Sequence, residues 1–295
     1  MLRAARASSS SGTEPPRPIL LLGSSGRLGT AFRRALEGTC RIVSRPGASL
    51  SAPGCAASLL GELRPDLVVN ACAMSSPRDC LHDPAGALLA NALLPRGLAG
   101  VCSSLGIPLV HFSTDLVYGG ATPPYGERSP CVPRSIYGWT KLLGDLSVLS
   151  AHPDALVVRT SVLFGEVGAS RRTFSEELLA GLVGSVHVDS WRNHTPVSWL
   201  PGAVMGAFGA GARGLLLVAG LHSLARSAFA EMLFAHLGRM DCPPAGYRPP
   251  GVPEDLSLDT SRFAQIMGDP PDPFQAFGIE YPQESPSTSA RNLPV

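Results

Sequence analysis

Short apolar runs alternate with helical patterns along the first half of the chain. Five runs have the length and composition of buried strands: residues 17–23, 40–45, 65–73, 106–115 and 154–165. Strands that are apolar throughout are typical of a parallel sheet covered on both faces. Helical spacing of Leu28, Phe32 and Leu36 follows the first run, and residues 83–106 form a longer helical pattern. The alternation predicts an α/β fold with a doubly wound parallel sheet.

The pattern is looser beyond about residue 165. Residues 173–184 and 222–238 have helical spacing, and residues 214–220 are a candidate strand. Proline and glycine become dense from Asp241 onward, which is typical of irregular connections. Inside the helical pattern of residues 83–106, Pro95 predicts a kink or a break, because proline lacks the N–H that a helix needs.

Composition narrows the class of protein. The chain has 295 residues, of which 44% are apolar and 16% charged, so a substantial core is available. A formal net charge of +1 gives no electrostatic case for nucleic acid or an anionic membrane as a partner. No apolar run reaches the length of a transmembrane helix. The 7 cysteines are scattered without a CxxC pair, which predicts neither a metal site nor a disulfide framework and favours the cytoplasm.

The two ends of the chain are rich in serine and proline. Residues 1–16 lack the continuous apolar stretch of a secretory signal. We expect residues 1–16 and 281–295 to be disordered, because such a composition cannot bury enough apolar surface to offset chain entropy. An organelle-targeting peptide at the start remains an alternative.

A glycine-rich loop follows the first strand. Residues 23–29 read GSSGRLG and stand between a credible strand and a credible helix. Glycines in this position allow a tight turn and a close approach of the backbone to phosphate, and the helix N-terminus offers free N–H groups to a pyrophosphate. The spacing alone is a weak signal, but its place between strand and helix predicts a dinucleotide site in a Rossmann-type sheet.

The second strand ends in Ser44 and Arg45. A carboxylate at this point would bind the 2′-hydroxyl of NAD, whereas an arginine can pair with the 2′-phosphate of NADP. We therefore expect NADP(H) as the cofactor, with NAD(H) as the alternative. A solvated loop arginine is the other interpretation of Arg45.

Tyr137 and Lys141 are four positions apart in the segment SIYGWTK. On a helix they would share a face. A nearby ammonium favours the phenolate and lowers the phenol pKa, which eases proton delivery to a carbonyl oxygen. Ser113 and Thr114 end the fourth strand, where a hydroxyl could bond the same oxygen. His111, inside that strand, fits a hydrogen-bonded interior histidine better than a ligand.

These motifs resemble the extended short-chain dehydrogenase/reductase superfamily. Within it the chain looks most like the dTDP-4-dehydrorhamnose reductase family, which also includes the methionine adenosyltransferase regulatory β subunit. The segments that carry the resemblance occur in family order over roughly residues 18–270: LLGSSGRLG, PDLVVNACA, ANALLPRGLA, LVHFSTDLVYGG, PYGERSPCVPRSIYGWTKLLGD, VVRTSVLFGE and PEDLSLDTSRFAQIMG.

The resemblance implies a role for each matching residue. The pyrophosphate loop would comprise Gly23, Ser25, Gly26, Arg27, Leu28 and Gly29. The adenine and ribose side would be bordered by Asn70, Ala71 and Cys72. Thr114, Tyr137 and Lys141 match the catalytic Ser/Thr, Tyr and Lys. Ser113, Asp115 and Tyr118 would contact the sugar.

Two segments depart from the family pattern. Val162 stands where the sugar reductases usually carry the tryptophan of an RTSW motif, and residues 74–84 replace a usual acidic run. Both weaken the transfer of substrate identity. In a predicted loop, Trp191 could stack on a base and Arg192 could bind a phosphate, as suits a nucleotide sugar. Arg171 and Arg172 could reach a diphosphate, although an exposed helix start is favoured.

The sequence predicts an NADP-binding Rossmann domain at residues 17–165 and a smaller, interleaved substrate-binding region at residues 166–280. The predicted activity is NADPH-dependent reduction of a nucleotide-activated 4-keto-deoxysugar, by a protein that is a candidate homodimer. The alternatives are a non-catalytic NADP-binding regulatory subunit of another enzyme and a related epimerase or dehydratase.

Overall fold

The computed structural model describes residues 18–38, 42–45, 54–165, 168–169, 172–270 and 272. The ends that we expect to be disordered lie outside these residues, as does Arg171. The backbone of Ser44 and Arg45 is described, but their side chains are not, so the predicted contact with a 2′-phosphate stays a prediction.

The described strands are short. In chain order they are β1 (Ile19–Leu22), β2 (Ile42–Arg45), β3 (Leu67–Asn70), β4 (Leu109–Thr114), β5 (Leu156–Thr160), β6 (Leu163–Phe164), β7 (Val186–His187), β8 (Trp191–Asn193), β9 (Thr195–Pro196), β10 (Gly214–Leu217), β11 (Ser223–Ala225) and β12 (Ala245–Gly246).

Among these, six strands form the central sheet, in the order β2-β1-β3-β4-β5-β10. Every neighbouring pair is parallel. The prediction of an α/β fold with a parallel sheet is confirmed. The candidate strand at residues 214–220 is confirmed as β10, which pairs with β5 at the edge of the sheet.

Helices cover both faces of the sheet. In chain order the described α-helices are α1 (Arg27–Leu36), α2 (Cys55–Leu63), α3 (Pro77–His82), α4 (Pro84–Leu88), α5 (Leu94–Ser104), α6 (Ile136–Ala151), α7 (Phe174–Leu179), α8 (Leu200–Gly209), α9 (Arg226–His236) and α10 (Ser261–Met267). Helices α1, α8 and α10 contribute Phe32, Val204 and Phe263 to the core on one face. Helices α2 and α5 contribute Leu60 and Leu98 to the core on the other.

Three small two-stranded sheets lie outside the central one. They are the antiparallel pair β8–β11 and the parallel pairs β7–β12 and β6–β9. Because β6 pairs with β9, the run at residues 154–165 divides into two strands rather than one. The helical pattern at residues 222–238 begins later than expected, since Ser223–Ala225 forms β11 before α9 starts at Arg226.

The long helical pattern at residues 83–106 is interrupted as Pro95 predicts. A π-helical turn at Leu89–Leu93 separates α4 from α5, and Pro95 lies in the first turn of α5. Proline cannot donate to the carbonyl four residues earlier and clashes with it, which a wider turn accommodates.

By length and composition, the helical segment Pro84–Ser104 could cross a membrane, so the expectation that no run is long enough is wrong. Core helices of globular proteins pass the same test, and here Leu98, Ala99 and Cys102 are buried against the sheet.

Candidate active site

The glycine loop joins β1 to α1 and is held in a conformation that only glycine permits. Gly23 has φ +81°, and a Cβ there would lie 2.8 Å from the backbone of Ala71 and Cys72. A Cβ at Gly29 would lie 2.1 Å from the carbonyl oxygen of Gly23. The N-cap residue of α1, Gly26, provides no side-chain cap, so the first N–H groups of the helix remain available to an anion.

A cleft of ≈ 1560 Å³ runs along the carboxyl ends of the central strands. Its wall includes most of the predicted site residues: Gly23, Ser25, Gly26, Arg27, Leu28, Asn70, Ala71, Cys72, Ser113, Thr114, Tyr137 and Lys141. Open α/β sheets bind ligands at this edge. Gly29 lies beneath the loop, packed against Gly23 and Ser24.

Close packing of α6 brings Tyr137 to the end of β4. Ser135 caps the helix, its Oγ accepting a hydrogen bond from the N–H of Gly138 at 3.1 Å. A Cβ at Gly138 would lie 2.3 Å from the carbonyl oxygen of Leu116, so the first turn of α6 approaches the segment after β4 as only glycine allows. Tyr137 is in this turn and is buried.

Burial raises the pKa of Tyr137 to about 12. The hydroxyl of Thr114 opposes this increase, and the carboxylate of Asp115 adds to it. The phenol is therefore protonated at neutral pH and has a proton to donate. Burial is the largest cause of the shift, so the pKa of the phenol is raised in this structure and not lowered as the sequence predicts.

The side chain of Lys141 is buried one helical turn after Tyr137. Its Nζ donates a hydrogen bond to the carbonyl oxygen of Phe112 at 2.6 Å and lies 3.3 Å from Nε2 of His111. Burial lowers the pKa of Lys141 to about 8, against the opposing charge of Asp145. The amine thus faces β4 as well as the cleft.

His111 is an interior residue, as its sequence context predicts. Its Nδ1 lies 3.0 Å from Nδ2 of Asn70, whose Oδ1 accepts a hydrogen bond from the N–H of Cys72 at 3.1 Å. Asn70, His111 and Lys141 therefore form a buried chain across the floor of the cleft.

Asp115 and Arg192 form a buried ion pair outside the cleft wall. Nε of Arg192 lies 2.7 Å from Oδ2 of Asp115, and Nη2 lies 2.6 Å from Oδ1. Asp115 also accepts hydrogen bonds from the hydroxyls of Thr114, at 3.2 Å, and Ser161. The predicted phosphate contact of Arg192 and sugar contact of Asp115 do not agree with this pairing, because both side chains are committed to each other.

Tyr118 and Trp191 are also away from the cleft wall. The hydroxyl of Tyr118 donates to the carbonyl oxygen of Gly126 at 3.0 Å and accepts from Nη1 of Arg159 at 2.9 Å. Tyr118 is fully buried, so the arrangement of its side chain does not favour the predicted contact with a sugar. Trp191 is half-buried in β8, and its backbone bonds to Glu254 and Leu256.

The sequence did not reveal the second wall of the cleft. This wall comes from the C-terminal half and includes Thr160, Ser161, Arg172, Phe174, Glu177, Leu182 and Arg226. Arg172 is at an exposed position, as expected, but its carbonyl oxygen accepts a hydrogen bond from Nη1 of Arg27 at 3.0 Å. No motif marks Arg226, which is the first residue of α9.

The RmlD substrate binding domain family matches residues 17–242. The chain belongs to this family. Its relatives include a probable dTDP-4,6-dihydroxy-2-methyloxan-3-one 4-ketoreductase from Streptomyces antibioticus, 38% identical over 57% of this chain and 59% of the relative. Methionine adenosyltransferase 2 subunit beta from Xenopus laevis is 30% identical over 52% of this chain and 49% of the relative. The match to each of these two relatives spans roughly half to three fifths of its length.

Solved structures of the same fold confirm the Rossmann-type architecture of this family member. A dTDP-4-dehydrorhamnose reductase from Bacillus anthracis in complex with NADP superimposes with a TM-score of 0.79 at 21% identity, covering 87% of this chain and 95% of that one. The Clostridium acetobutylicum dTDP-4-dehydrorhamnose reductase gives a TM-score of 0.77 at 23% identity, covering 86% and 94%. At these identities the likeness concerns the fold.

Proposed function

We propose that the protein is an NADPH-dependent ketoreductase of a nucleotide-activated 4-keto-deoxysugar. The observation that carries the proposal is one cleft that joins the glycine loop to Thr114, Tyr137 and Lys141. Membership of a family whose relatives include named 4-ketoreductases supports the same reaction.

The residues present fit a dinucleotide. A Cβ at Gly23 or Gly29 would clash with the chain's own backbone, so the tight loop that a diphosphate approaches depends on these glycines, and the start of α1 offers N–H groups to a diphosphate. Asn70, Ala71 and Cys72 border the cleft beside this loop. When bound, NADPH would supply the hydride. NADP(H) is the proposed cofactor, with NAD(H) as the alternative, since the choice depends on Arg45.

The chain's own residues would handle the proton. Tyr137 holds a proton at neutral pH and donates it to the substrate carbonyl oxygen, while the hydroxyl of Thr114 hydrogen-bonds that oxygen. Lys141, whose amine lies at the cleft floor, would hold a ribose hydroxyl and stabilise the phenolate that remains. In this structure the hydroxyl of Thr114 donates its one proton to Asp115, so on substrate binding it would have to turn from Asp115 to the carbonyl oxygen.

Two alternatives remain. Kinship with the methionine adenosyltransferase β subunit, together with Val162 in place of a tryptophan, favours a non-catalytic NADP-binding regulatory subunit as the second candidate. A related epimerase or dehydratase is the third, since a dTDP-glucose 4,6-dehydratase and a UDP-glucose 4-epimerase share the fold.

Measuring NADPH by its absorbance at 340 nm, together with product formation, distinguishes the three candidate functions. Loss of NADPH with a panel of 4-keto-sugar nucleotides supports the reductase. Product formed without net cofactor consumption supports an epimerase or dehydratase. Cofactor binding without turnover on any panel member, together with stable co-purification of another enzyme, contradicts the reductase.

The same proposal assigns residues 17–165 to cofactor binding and residues 166–280 to an interleaved substrate-binding region, in a cytoplasmic protein.

A homodimer is proposed through α6, which exposes Trp139, Leu143 and Leu146 beside the exposed Leu89 and Leu93. Light scattering tests this directly: Leu143→Glu should convert a dimer to a monomer, and a parent protein that is monomeric contradicts the assignment.

A further inference from the structure

Arg226 faces the cleft from the C-terminal wall without a partner for its charge. Its guanidinium carbon lies 4.8 Å from the ring centroid of Phe174, over the ring face. Its Nε is buried and has no hydrogen-bond partner, and none of its side-chain nitrogens forms an ion pair within the part of the chain that the structure describes. The backbone N–H alone is engaged, donating to the carbonyl oxygen of Ser190 at 3.1 Å.

Two arginines that are more deeply buried than Arg226 have carboxylate partners. Arg159 lies 2.9 Å from Asp145, and Arg192 is paired with Asp115. Burial and the nearby charge of Arg192 lower the pKa of Arg226 to about 10, although Asp115 and Glu177 oppose this. Arg226 as a whole is half-buried, but its Nε is buried without a partner, and a desolvated guanidinium nitrogen without an acceptor is costly.

The polar groups near Arg226 are unsatisfied as well. Both ring nitrogens of His194 and the Nδ1 of His187 are buried without hydrogen-bond partners among the described residues, as is the hydroxyl of Ser190. The charge of Arg226 contributes to lowering the pKa of both histidines, which places it close to them. These groups are not among the described residues that line the cleft, and the ring of His194 stacks on that of Phe229 at 4.0 Å, so they lie in the packing behind Arg226 and leave its guanidinium as the group that faces a ligand.

The charge of the cleft favours an anion. Among the described residues that line it, Arg27, Lys141, Arg172 and Arg226 are opposed by a single carboxylate, that of Glu177. The glycine loop and Arg27 belong to the wall formed by β1 and α1, where the cofactor is proposed to bind. Arg226 belongs to the wall formed by α7 and α9, which is available to a second ligand.

We propose that Arg226 binds a phosphoryl group of the nucleotide-sugar substrate on the C-terminal wall of the cleft. The planar fork of a guanidinium matches two phosphate oxygens, and an apolar ring beneath it fixes its plane. The identity of the anion rests on the proposed function. The presence of an anion site at Arg226 does not, because it follows from the unpaired charge.

Calorimetric titration with thymidine diphosphate tests the site without turnover. The titration uses protein saturated with NADP⁺, so that the cofactor occupies its own diphosphate site. Arg226→Met should weaken thymidine diphosphate binding by about 10- to 100-fold, the value of a charge-assisted hydrogen bond. Arg226→Lys should give a smaller loss, because it keeps the charge but not the fork. The affinity for NADP⁺ should stay the same in both variants.

Thermal unfolding of the ligand-free protein separates a binding arginine from a structural one. Arg226→Met should melt at or above the temperature of the parent, since it removes a half-buried charge that has no anionic partner among the described residues. Arg159→Met is the matched control and should melt well below it, because it leaves Asp145 buried without its partner. An Arg226→Met protein that melts as low as the control, or fails to fold, overturns the inference.

The outcomes for binding and for turnover are independent. Binding of thymidine diphosphate through Arg226 without reduction of any keto sugar leaves the anion site standing and removes the reductase. If the parent reduces a keto sugar and Arg226→Met keeps its affinity for thymidine diphosphate, the inference is overturned and the proposed function stands. The inference is also overturned if the parent does not bind thymidine diphosphate. Titration with inorganic pyrophosphate shows whether the phosphoryl groups suffice or the nucleoside is required.

Discussion

The two walls of the cleft present different chemical groups to a ligand. The wall of β1 and α1 presents backbone: Gly23 and Gly29 allow the tight turn after β1, and the first turn of α1 supplies N–H groups. The wall of α7 and α9 presents side chains, with Phe174, Glu177 and Arg226 facing inward. Backbone suits a group that a whole class of cofactors shares, whereas side chains can be exchanged to suit one substrate. The difference explains why the first wall has a sequence motif and the second has none.

The largest expected effect on the reaction rate is at Tyr137. This residue lies between the two walls, and its hydroxyl is proposed to act on the reaction and not on the binding of either ligand. Tyr137→Phe should lower the rate of NADPH oxidation by on the order of 10²–10⁴, the contribution of a positioned general acid, and leave cofactor affinity unchanged. Single-turnover absorbance with a separate binding titration measures both. A variant that binds NADPH normally and reduces substrate at the parent rate would falsify the proton-donor role.

Arg192 should behave as part of the scaffold and not as part of the substrate wall. Arg192→Ala leaves Asp115 buried without its partner, which should lower the free energy of unfolding by about 3–5 kcal/mol. Urea denaturation measures the loss. Arg248 is the control: its ion pairs with Asp189 and Glu254 are partly exposed to solvent, so its replacement by alanine should cost less than that of Arg192. If Arg192→Ala is as stable as the parent but has a raised KM for the substrate, Arg192 binds the substrate and its role is not structural.

The backbone wall should tolerate no added atom. Gly29→Ala places a Cβ 2.1 Å from the carbonyl oxygen of Gly23, so the loop must shift at a cost of about 1–3 kcal/mol. We expect weaker NADPH binding by a corresponding 5- to 150-fold or so. Gly61 in α2 has no atom within 4 Å of an added Cβ, and Gly61→Ala should leave binding intact. Equal affinities in the two variants would show that the loop does not hold the cofactor.

The smallest effect is a pH dependence carried by Lys141. Its pKa in the folded protein, about 8, lies below its ordinary value of 10.5, so the ammonium is present below about pH 8 and is lost above it. If the ammonium stabilises the phenolate of Tyr137, kcat/KM should fall as pH rises through about 8. Lys141→Arg keeps a cation at every pH measured and should flatten this limb, whatever its rate. If kcat/KM of Lys141→Arg falls over the same pH range as that of the parent, the fall is caused by the titration of another group.

The same shift has a consequence for stability with a definite sign. Between about pH 8 and 10.5 the unfolded chain holds a proton on this lysine that the folded chain has released. The unfolded state then binds more protons, so this residue makes the folded state more stable as pH rises through that window. Lys141→Met should remove that part of the slope.

The sequence predicted what depends on local pattern. Apolar runs such as that of β3 identify buried strands, and the glycines of residues 23–29 identify a turn that needs them. It did not predict α8, because this helix contains three glycines, which have low helix propensity: Gly202, Gly206 and Gly209. The helix nevertheless buries Leu200 and Val204 against the sheet. Packing against the sheet stabilises this helix, and a propensity scan does not detect such packing.

Side-chain roles that depend on distant partners were also beyond the sequence. Arg192 was expected to bind a phosphate because it follows a tryptophan in a predicted loop, yet it pairs with Asp115, which is 77 positions away in the chain. The spacing of Tyr137 and Lys141 predicts that the two share a helix face, but it does not predict the hydrogen bond that the amine of Lys141 donates to the carbonyl oxygen of Phe112 on β4. Spacing identifies which residues are able to act, and tertiary contacts determine what they act upon.

The place of β10 in the sheet has a consequence for synthesis of the chain. Strand β10 covers the edge of β5, and its Leu217 N–H donates to the carboxylate of Glu127 at 3.1 Å. Roughly 50 residues separate the two strands, so at typical elongation rates of about 5–20 residues per second the edge of β5 stays uncovered for roughly 3–10 s during translation. An exposed edge strand is a template for pairing with other chains. Slow codons or a stalled ribosome between these strands should therefore raise aggregation of the nascent protein more than the same delay after β10.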